Sequence, residues 1–413
     1  MQYDPRQREG AVLMATFTNW VGNQTCNPAQ ILTPRSEAEV QEAVRAARHV
    51  RCVATGHSFT PIHLTDGTLL TMDGLQGEIR VDAATGRASA QPGTTVAALG
   101  PPLWEAGYAL ANQGDIDTQG IAGAIGTCTH GSGLDLQSFS AALKRARLVT
   151  ASGDVIEIGE DDPRLPALQT SVGMLGVMTE VEIQAVAAHR LVERIEHWHF
   201  DEAFGRLEDL ARAHRHYSFF YIPTEESAAL YDLETPAGAS VADTCYVKIY
   251  DLAGDDVPDS AVPGRRVGRS YEIYPAIFEP NFHELEYFVP YDRAADALGA
   301  MRELMLSRLP LSIFPMEVRT VRREEAWLSQ SYHRDTLVIS VSGQPGTDYE
   351  PYLREVHAVL GQFDARVHWG KIHYLTADEL HERYPRAADF IAVRRELDPD
   401  GKFLNDHLRP LFA

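Results

Sequence analysis

The chain has 413 residues, 44% of them hydrophobic and 23% charged, with a formal net charge of −21. It is longer than one hydrophobic core normally grows, about 250–300 residues, so two or three domains are expected. The acidity weighs against a nucleic-acid or anionic-membrane partner, either of which asks for a basic patch.

Four scattered cysteines, Cys26, Cys52, Cys128 and Cys245, form no C-x-x-C pair. They fit a reducing, cytoplasmic setting better than a disulfide framework. No run approaches the roughly 18 apolar residues of a spanning helix, and AVLMA near the N-terminus is too short for a secretion signal.

In chain order, SEAEVQEAVRAAR at 36–48 predicts an amphipathic helix. Ser36 is a suitable N-cap, Glu39 completes a capping box, and Val40, Ala43, Val44 and Ala47 share one face. RCVATG reads as a short strand running into a loop at Gly56. VDAATGRASA and VTASGDVIEI read as hairpins with turns at Ala-Thr-Gly and Ser-Gly-Asp. In VAALGPPLWEAGYAL a helix broken or restarted at Pro101 and Pro102 is expected. SVGMLGVMTEVEIQAV adds a glycine loop and a strand. The first 185 residues hold no repeat of long β-α units and read as α+β.

From about residue 190 aromatics and histidines rise, as in HWHF, HRHYSFFYIP and YEIYPAIFEPNFHELEYFVP. Strands such as TCYVKIY and TLVISVSG alternate with helical patterns at 201–213, 291–306 and 349–361, as in a sheet with one helical face. The final 43 residues, from KIHYLTADEL, are polar and proline-marked and read as a tail packed back on another domain.

Two stretches invite chemistry. ATGHSF places His57 behind a glycine, and GIAGAIGTCTHGSG carries glycines at 120, 123, 126, 131 and 133. Such a density weakens a core strand, but it lets backbone N–H groups approach a ligand's oxygens. The spacing is neither G-x-G-x-x-G nor a G-K-S/T phosphate loop. Taken alone, His57 fits a buried structural histidine as well as a base, a ligand or an attachment point. No H-E-x-x-H or Cys/His spacing supports zinc, and no G-x-S-x-G supports acyl transfer. In FPMEVRTV, Glu317 and Arg319 are two apart and share a face of a strand. Lys371 follows Trp369 and Gly370 in VHWGKIH, and the three charged residues suit a polyhydroxylated substrate and a developing anion.

With these pieces in view, the chain resembles the flavin oxidoreductases of the vanillyl-alcohol-oxidase superfamily, in particular the sugar-1,4-lactone oxidases and alditol oxidases. The resemblance runs through NW at 19–20, VATGHSFTPI, DIDTQGIAGAIGTCTHGSG, GMLGVMTEVEI, MEVR, HWGKIH and YPRAADFIAVRRELDPDGKFLNDHLRPLF, in order and spacing. It implies an α+β fold: a two-subdomain FAD-binding domain at 1–187, an α+β cap at 188–367 and a C-terminal segment at 368–413 returning to the FAD domain.

The resemblance also implies FAD carried covalently by His57 through the 8α-methyl group. Val53, Ala54, Thr55, Gly56, Ser58 and Phe59 belong to the same cofactor-binding loop. A second group, Gly120, Ala122, Gly123, Gly126 and Thr127, continues into Thr129, His130, Gly131 and Ser132, with Val181 further on. Glu317, Arg319 and Lys371 match the E-x-R and W-G-K positions on the substrate side of the ring. The implied reaction moves a hydride from a CH–OH carbon to flavin N5, with Glu317 as base and Lys371 or Arg319 stabilising negative charge on the ring. Oxygen then takes the electrons and leaves hydrogen peroxide.

The implied substrate is an aldono-1,4-lactone of the gulono-, galactono- or arabinono- type. An alditol such as xylitol or sorbitol is the alternative, as is a lactone dehydrogenase with another acceptor. The chain departs from the pattern twice. Gly120 stands where many relatives carry Thr or Ser, and SVSG, with Ser342, stands where they carry a histidine.

Overall fold

The computed structural model describes residues 15–276, 279 and 281–413. The expectation about the N-terminal apolar run falls largely on residues 1–14, outside the described residues. Among the described residues no helix is long and apolar enough to cross a membrane. All four cysteines are free thiols.

The first predicted helix spans Glu37–Ala46. Ser36 Oγ accepts from the Glu39 N–H, but the Glu39 carboxylate accepts from the Arg35 N–H rather than that of Ser36, so the capping box is displaced by one residue. The buried Val40, Ala43 and Val44 pack over a three-stranded parallel sheet in the order Gln30–Leu32, Thr68–Thr71, Val50–Val53. A five-stranded antiparallel sheet holds both expected hairpins: Arg80–Asp82 pairs with Arg87–Ala90, and Leu143–Val149 with Val155–Ile158.

Pro101 and Pro102 do not break their helix, which runs unbroken over Val96–Glu105. The prolines remove two internal donors, but Val96, Leu99 and Leu103 are buried on one face, and packing overrides the local penalty.

An eight-stranded antiparallel sheet follows. Its order is Val267–Arg269, Arg190–His199, Thr244–Leu252, His216–Ile222, Met316–Val321, Thr336–Gly343, His283–Pro290, Arg366–Val367. Alternation divides it into two unlike faces. Leu285, Tyr287, Val318 and Ile339 join one apolar core with residues of the helices Ala294–Ser307 and Glu350–Gly361. On the opposite face, register sets Glu317 beside Phe220 and Ser340, Ser340 beside Glu286, and Ser342 beside Glu284. A slip of one residue would bring these charges into the apolar layer. The helix expected at 201–213 is two pieces, Phe200–Gly205 and Leu207–Ala213, parted at Arg206 next to a helix-weakening glycine.

The final stretch is more ordered than a polar tail. It forms helices Ala377–Arg383, Ala387–Leu397 and Arg409–Phe412, and Tyr384 and Phe412 pack against buried Trp369. It is tied to the parallel sheet by buried Arg51, whose guanidinium donates to the carbonyls of Ile62, Val172, Gly173 and Phe403 at 2.5–3.2 Å.

Candidate active site

The strand Val50–Val53 ends at the rim of a cleft of about 1070 Å³. Segments 51–58, 119–129, 171–178 and 368–371 contribute its walls. The first of these turns at Gly56, whose φ of +70° suits glycine. Three contacts fasten the loop: Trp20 N–H to Gly56 O at 3.0 Å, Asn19 Nδ2 to Ser58 O at 2.9 Å, and Phe59 N–H to Gly370 O at 2.8 Å.

His57 is thereby fixed against the Trp20 ring, 4.6 Å between centroids. Its Nε2 lies 3.1 Å from Thr118 Oγ1, while its Nδ1 is buried without a partner. Burial, and then the nearby Lys371, push the imidazole down to about 4, so the ring is neutral at pH 7. Across the cleft, Gly120 precedes the short helix Ile121–Gly126. A Cβ at 120 would meet the Ala54 Cβ at 2.5 Å, so the loop below it explains this departure from Thr or Ser.

These residues fit FAD. The walls are glycine-rich, which brings backbone N–H groups close to an anionic ligand. Three residues on them, His57, His63 and Gln119, carry buried polar atoms with no protein partner.

A second cavity of about 560 Å³ adjoins the first, and Gln119, Thr129, His368 and Lys371 line both. Glu317 and Arg319, two apart on one strand, and the more distant Lys371 all line it. Arg319 pairs with Glu317, and its Nη2 also donates to Asp115 Oδ2 at 2.8 Å. Asp115 pairs in turn with Lys248 Nζ at 3.2 Å. Lys371 pairs with Glu284, which also accepts from Ser340 Oγ, and the lysine ammonium lies 4.7 Å from the centre of the Phe59 ring. Ser342 Oγ lies 2.7 Å from the Tyr231 hydroxyl, and Tyr231 lines the cavity.

Charge here is buried and shifted. Burial raises the Glu317 carboxyl to about 7 against the pull of Arg319, with Asp115 raising it further. Burial would also raise Asp115, but Lys248 and Arg319 bring it down to about 2. Glu286 is likewise held below the carboxylate range: burial opposes this, and His130 outweighs it.

His130, Glu286 and His368 bring three possible metal-ligand atoms within 4.8 Å of one another. Yet His130 Nδ1 faces the Gly131 carbonyl and Nε2 faces the Glu286 carboxylate, both at 2.8 Å. Both ring nitrogens of His130 are thus already engaged by protein groups.

Of the sequence-predicted cofactor residues, Val53, Ala54, Thr55, Gly56, His57 and Ser58 meet Gly120, Ala122, Gly123, Gly126, Thr127 and Thr129 around the cleft. Five others, Val181 among them, lie elsewhere. Phe59 packs in an aromatic cluster with Phe282 and Phe314. His130 lines the second cavity, and Gly131 supplies it a carbonyl. Ser132 is buried against Tyr274, whose hydroxyl accepts from its N–H at 2.9 Å.

Val181 does not line the cleft. It pairs with Ala90 and Ala146 inside the five-stranded sheet, and Val177 and Met178, at the start of the same strand, reach the cleft instead. Sequence reading passed over Asp115, Lys248, Glu284 and Glu286. Acids at alternate positions of the apolar HELEYFVP, and a lysine inside TCYVKIY, were the signal: charge on one face of a buried strand needs a partner.

Residues 28–159 match the family model described as FAD binding domain, and the architecture joins that domain to a β-rich cap. The molecule is a FAD-dependent oxidoreductase. Residues 257–411 match the model for D-arabinono-1,4-lactone oxidase.

Over 420 residues the chain is 35% identical to L-gulono-1,4-lactone dehydrogenase of Mycobacterium tuberculosis, covering 95% of this chain and 98% of that protein. Over 419 residues it is 31% identical to alditol oxidase of a Streptomyces species, covering 97% and 99%. The crystal structure of cholesterol oxidase from B. sterolicum superposes with a TM-score of 0.82 over 96% of both chains; at 15% identity this shows a shared fold alone. The chain belongs to the sugar-lactone oxidase and alditol oxidase family of the vanillyl-alcohol-oxidase superfamily.

Proposed function

We propose that this enzyme oxidises a CH–OH group of an aldono-1,4-lactone, with oxygen as the final acceptor and hydrogen peroxide as product. The observation that carries this reading is the small charged cavity opening beside the glycine-lined cleft, with Glu317, Arg319 and Lys371 on its wall. The names of the relatives, lactone dehydrogenase and alditol oxidase among them, support the substrate class.

Segments 53–58 and 120–129 would hold FAD, with His57 Nδ1 as the point of covalent attachment. Bound FAD supplies the two-electron acceptor. Glu317 takes the proton of the substrate hydroxyl as the carbon that bears it is oxidised to a carbonyl. Arg319 holds Glu317 and presents its remaining donors to substrate oxygens. Lys371 keeps a positive charge at the junction of the two cavities, where negative charge develops.

An alditol is the second reading. Ser342 stands where relatives carry a histidine ring, and Ser340 and Glu284 share its side of the sheet; small hydroxyl and carboxylate groups there suit a linear chain of hydroxyls.

The test is an anaerobic screen of lactones and alditols that follows bleaching of the yellow colour, and then admission of air. Bleaching by a lactone, with colour and peroxide returning in air, is the expected result. Bleaching by alditols alone would replace the substrate. Colour that returns only with a dye or quinone would replace the acceptor.

A further inference from the structure

Asp115 is buried at 4% exposure on the loop before the glycine cluster, and neither its spacing nor its neighbours in sequence announce a role. Both its oxygens stand 3.2 Å from Lys248 Nζ, which comes from the cap strand Thr244–Leu252. Arg319 Nη2 donates to Asp115 Oδ2 at 2.8 Å, and that same nitrogen also reaches Glu317 Oε2. The other carboxylate oxygen of Glu317, Oε1, is buried with no protein partner. Two acids thus compete for one guanidinium, and a lysine from the cap neutralises one of them. A carboxylate buried this deeply persists only with such partners.

We infer that Asp115, held by Lys248, is a positioning residue: it fixes Arg319 and leaves Glu317 able to accept a proton rather than locked as the anion of a salt bridge. This rests on the reading of Glu317 as the base.

The surroundings single out this pair. Among the other groups that line the cavity, Glu284 is engaged by Lys371, Glu286 by His130, and Tyr231 by Ser342. His368 is held neutral by burial, and its Nδ1 accepts from the Gly370 N–H at 2.9 Å. Asp115 raises Glu317 and Lys248 lowers it, while Arg319 lowers it from its own strand. Removing either member of the pair should therefore move Glu317 in opposite directions.

Asp115→Asn keeps shape and removes the negative charge; Lys248→Met removes the opposing positive charge. In the holoenzyme two quantities are followed. One is the pH dependence of anaerobic flavin reduction. The other is the titration of Glu317 by NMR with carboxyl-13C glutamate, assigned with Glu317→Gln. The Asp115 variant should lower the Glu317 midpoint and the Lys248 variant should raise it, each on the order of one pH unit.

NMR midpoints that stay in place, or that move in the same direction in both variants, would overturn the role of Asp115. Opposite NMR shifts with an unaltered rate profile would support that role while overturning Glu317 as the base. If Asp115→Asn fails to fold, Asp115→Ser, which also removes the charge, takes its place, and an unmoved Glu317 midpoint there would likewise overturn the role.

Discussion

Thr118 Oγ1 stands 3.1 Å from His57 Nε2, across the ring from the unpartnered Nδ1. In the tautomer that donates Nε2–H to Thr118, the Nδ1 lone pair is unengaged. That is the form a covalent bond from Nδ1 requires. Acid-precipitated, denatured protein should stay yellow and fluoresce on a gel. His57→Ala should release its FAD into the supernatant, and Thr118→Val should lower the covalent fraction. A colourless wild-type pellet would refute covalent attachment.

Glu317→Gln keeps the shape of the side chain but takes away the base. Flavin reduction should slow by about 100- to 10,000-fold with the cofactor still bound. In wild type the base must be deprotonated, and its carboxyl sits at about 7, so reduction should rise as pH climbs through 7 and fall below it. Stopped-flow traces of the Gln variant should lose this limb. An unchanged rate would mean an ordinary ion pair.

Half-buried Lys371 and buried Glu284 form a pair beside the junction of the two cavities. Lys371→Met should weaken sulfite binding to the flavin and lower its midpoint potential, because a positive charge favours added negative charge. Glu284→Gln leaves that charge unopposed and should do the reverse. Arg319→Met should chiefly raise the substrate concentration needed, since its fork suits sugar oxygens. Sulfite titrations of all three variants decide whether Lys371 acts at the flavin.

Arg51 donates to four backbone carbonyls from three separate parts of the chain. Arg51→Met strands these buried acceptors, each worth about 1–3 kcal/mol when left unmade. Thermal unfolding should shift down markedly. Lysine should rescue little, because one ammonium cannot reach all four carbonyls.

Prolonged treatment with EDTA should leave turnover intact, because the His130 ring is engaged at both nitrogens. Loss of activity restored by a divalent ion would overturn that expectation.

Much of the fold was legible in the residues. The β-branched run in TLVISVSG, buried along its whole length, and the one-faced apolar periodicity in SEAEVQEAVRAAR report burial, and burial is what strands and helices of this kind are selected by. Pro101 and Pro102 misled because a local penalty was read without the packing of Leu99 and Leu103 that offsets it. Val181 misled because the strand from Val177 leaves the cleft within four residues, and one-dimensional spacing does not say where along a strand the ligand stops.

By itself the sequence determined the FAD-binding architecture and the segments that meet at the cleft, since glycines and apolar periodicity act over short stretches. Only the tertiary structure decided the electrostatics of the second cavity. Asp115, Lys248, Glu284 and Arg319 are scattered over nearly half of the chain, and each alone resembles a solvated surface charge. Antiparallel register and the return of the C-terminal segment bring them within hydrogen-bond reach of their partners, out of water, where a neighbour's charge rather than the residue type sets which group holds the proton.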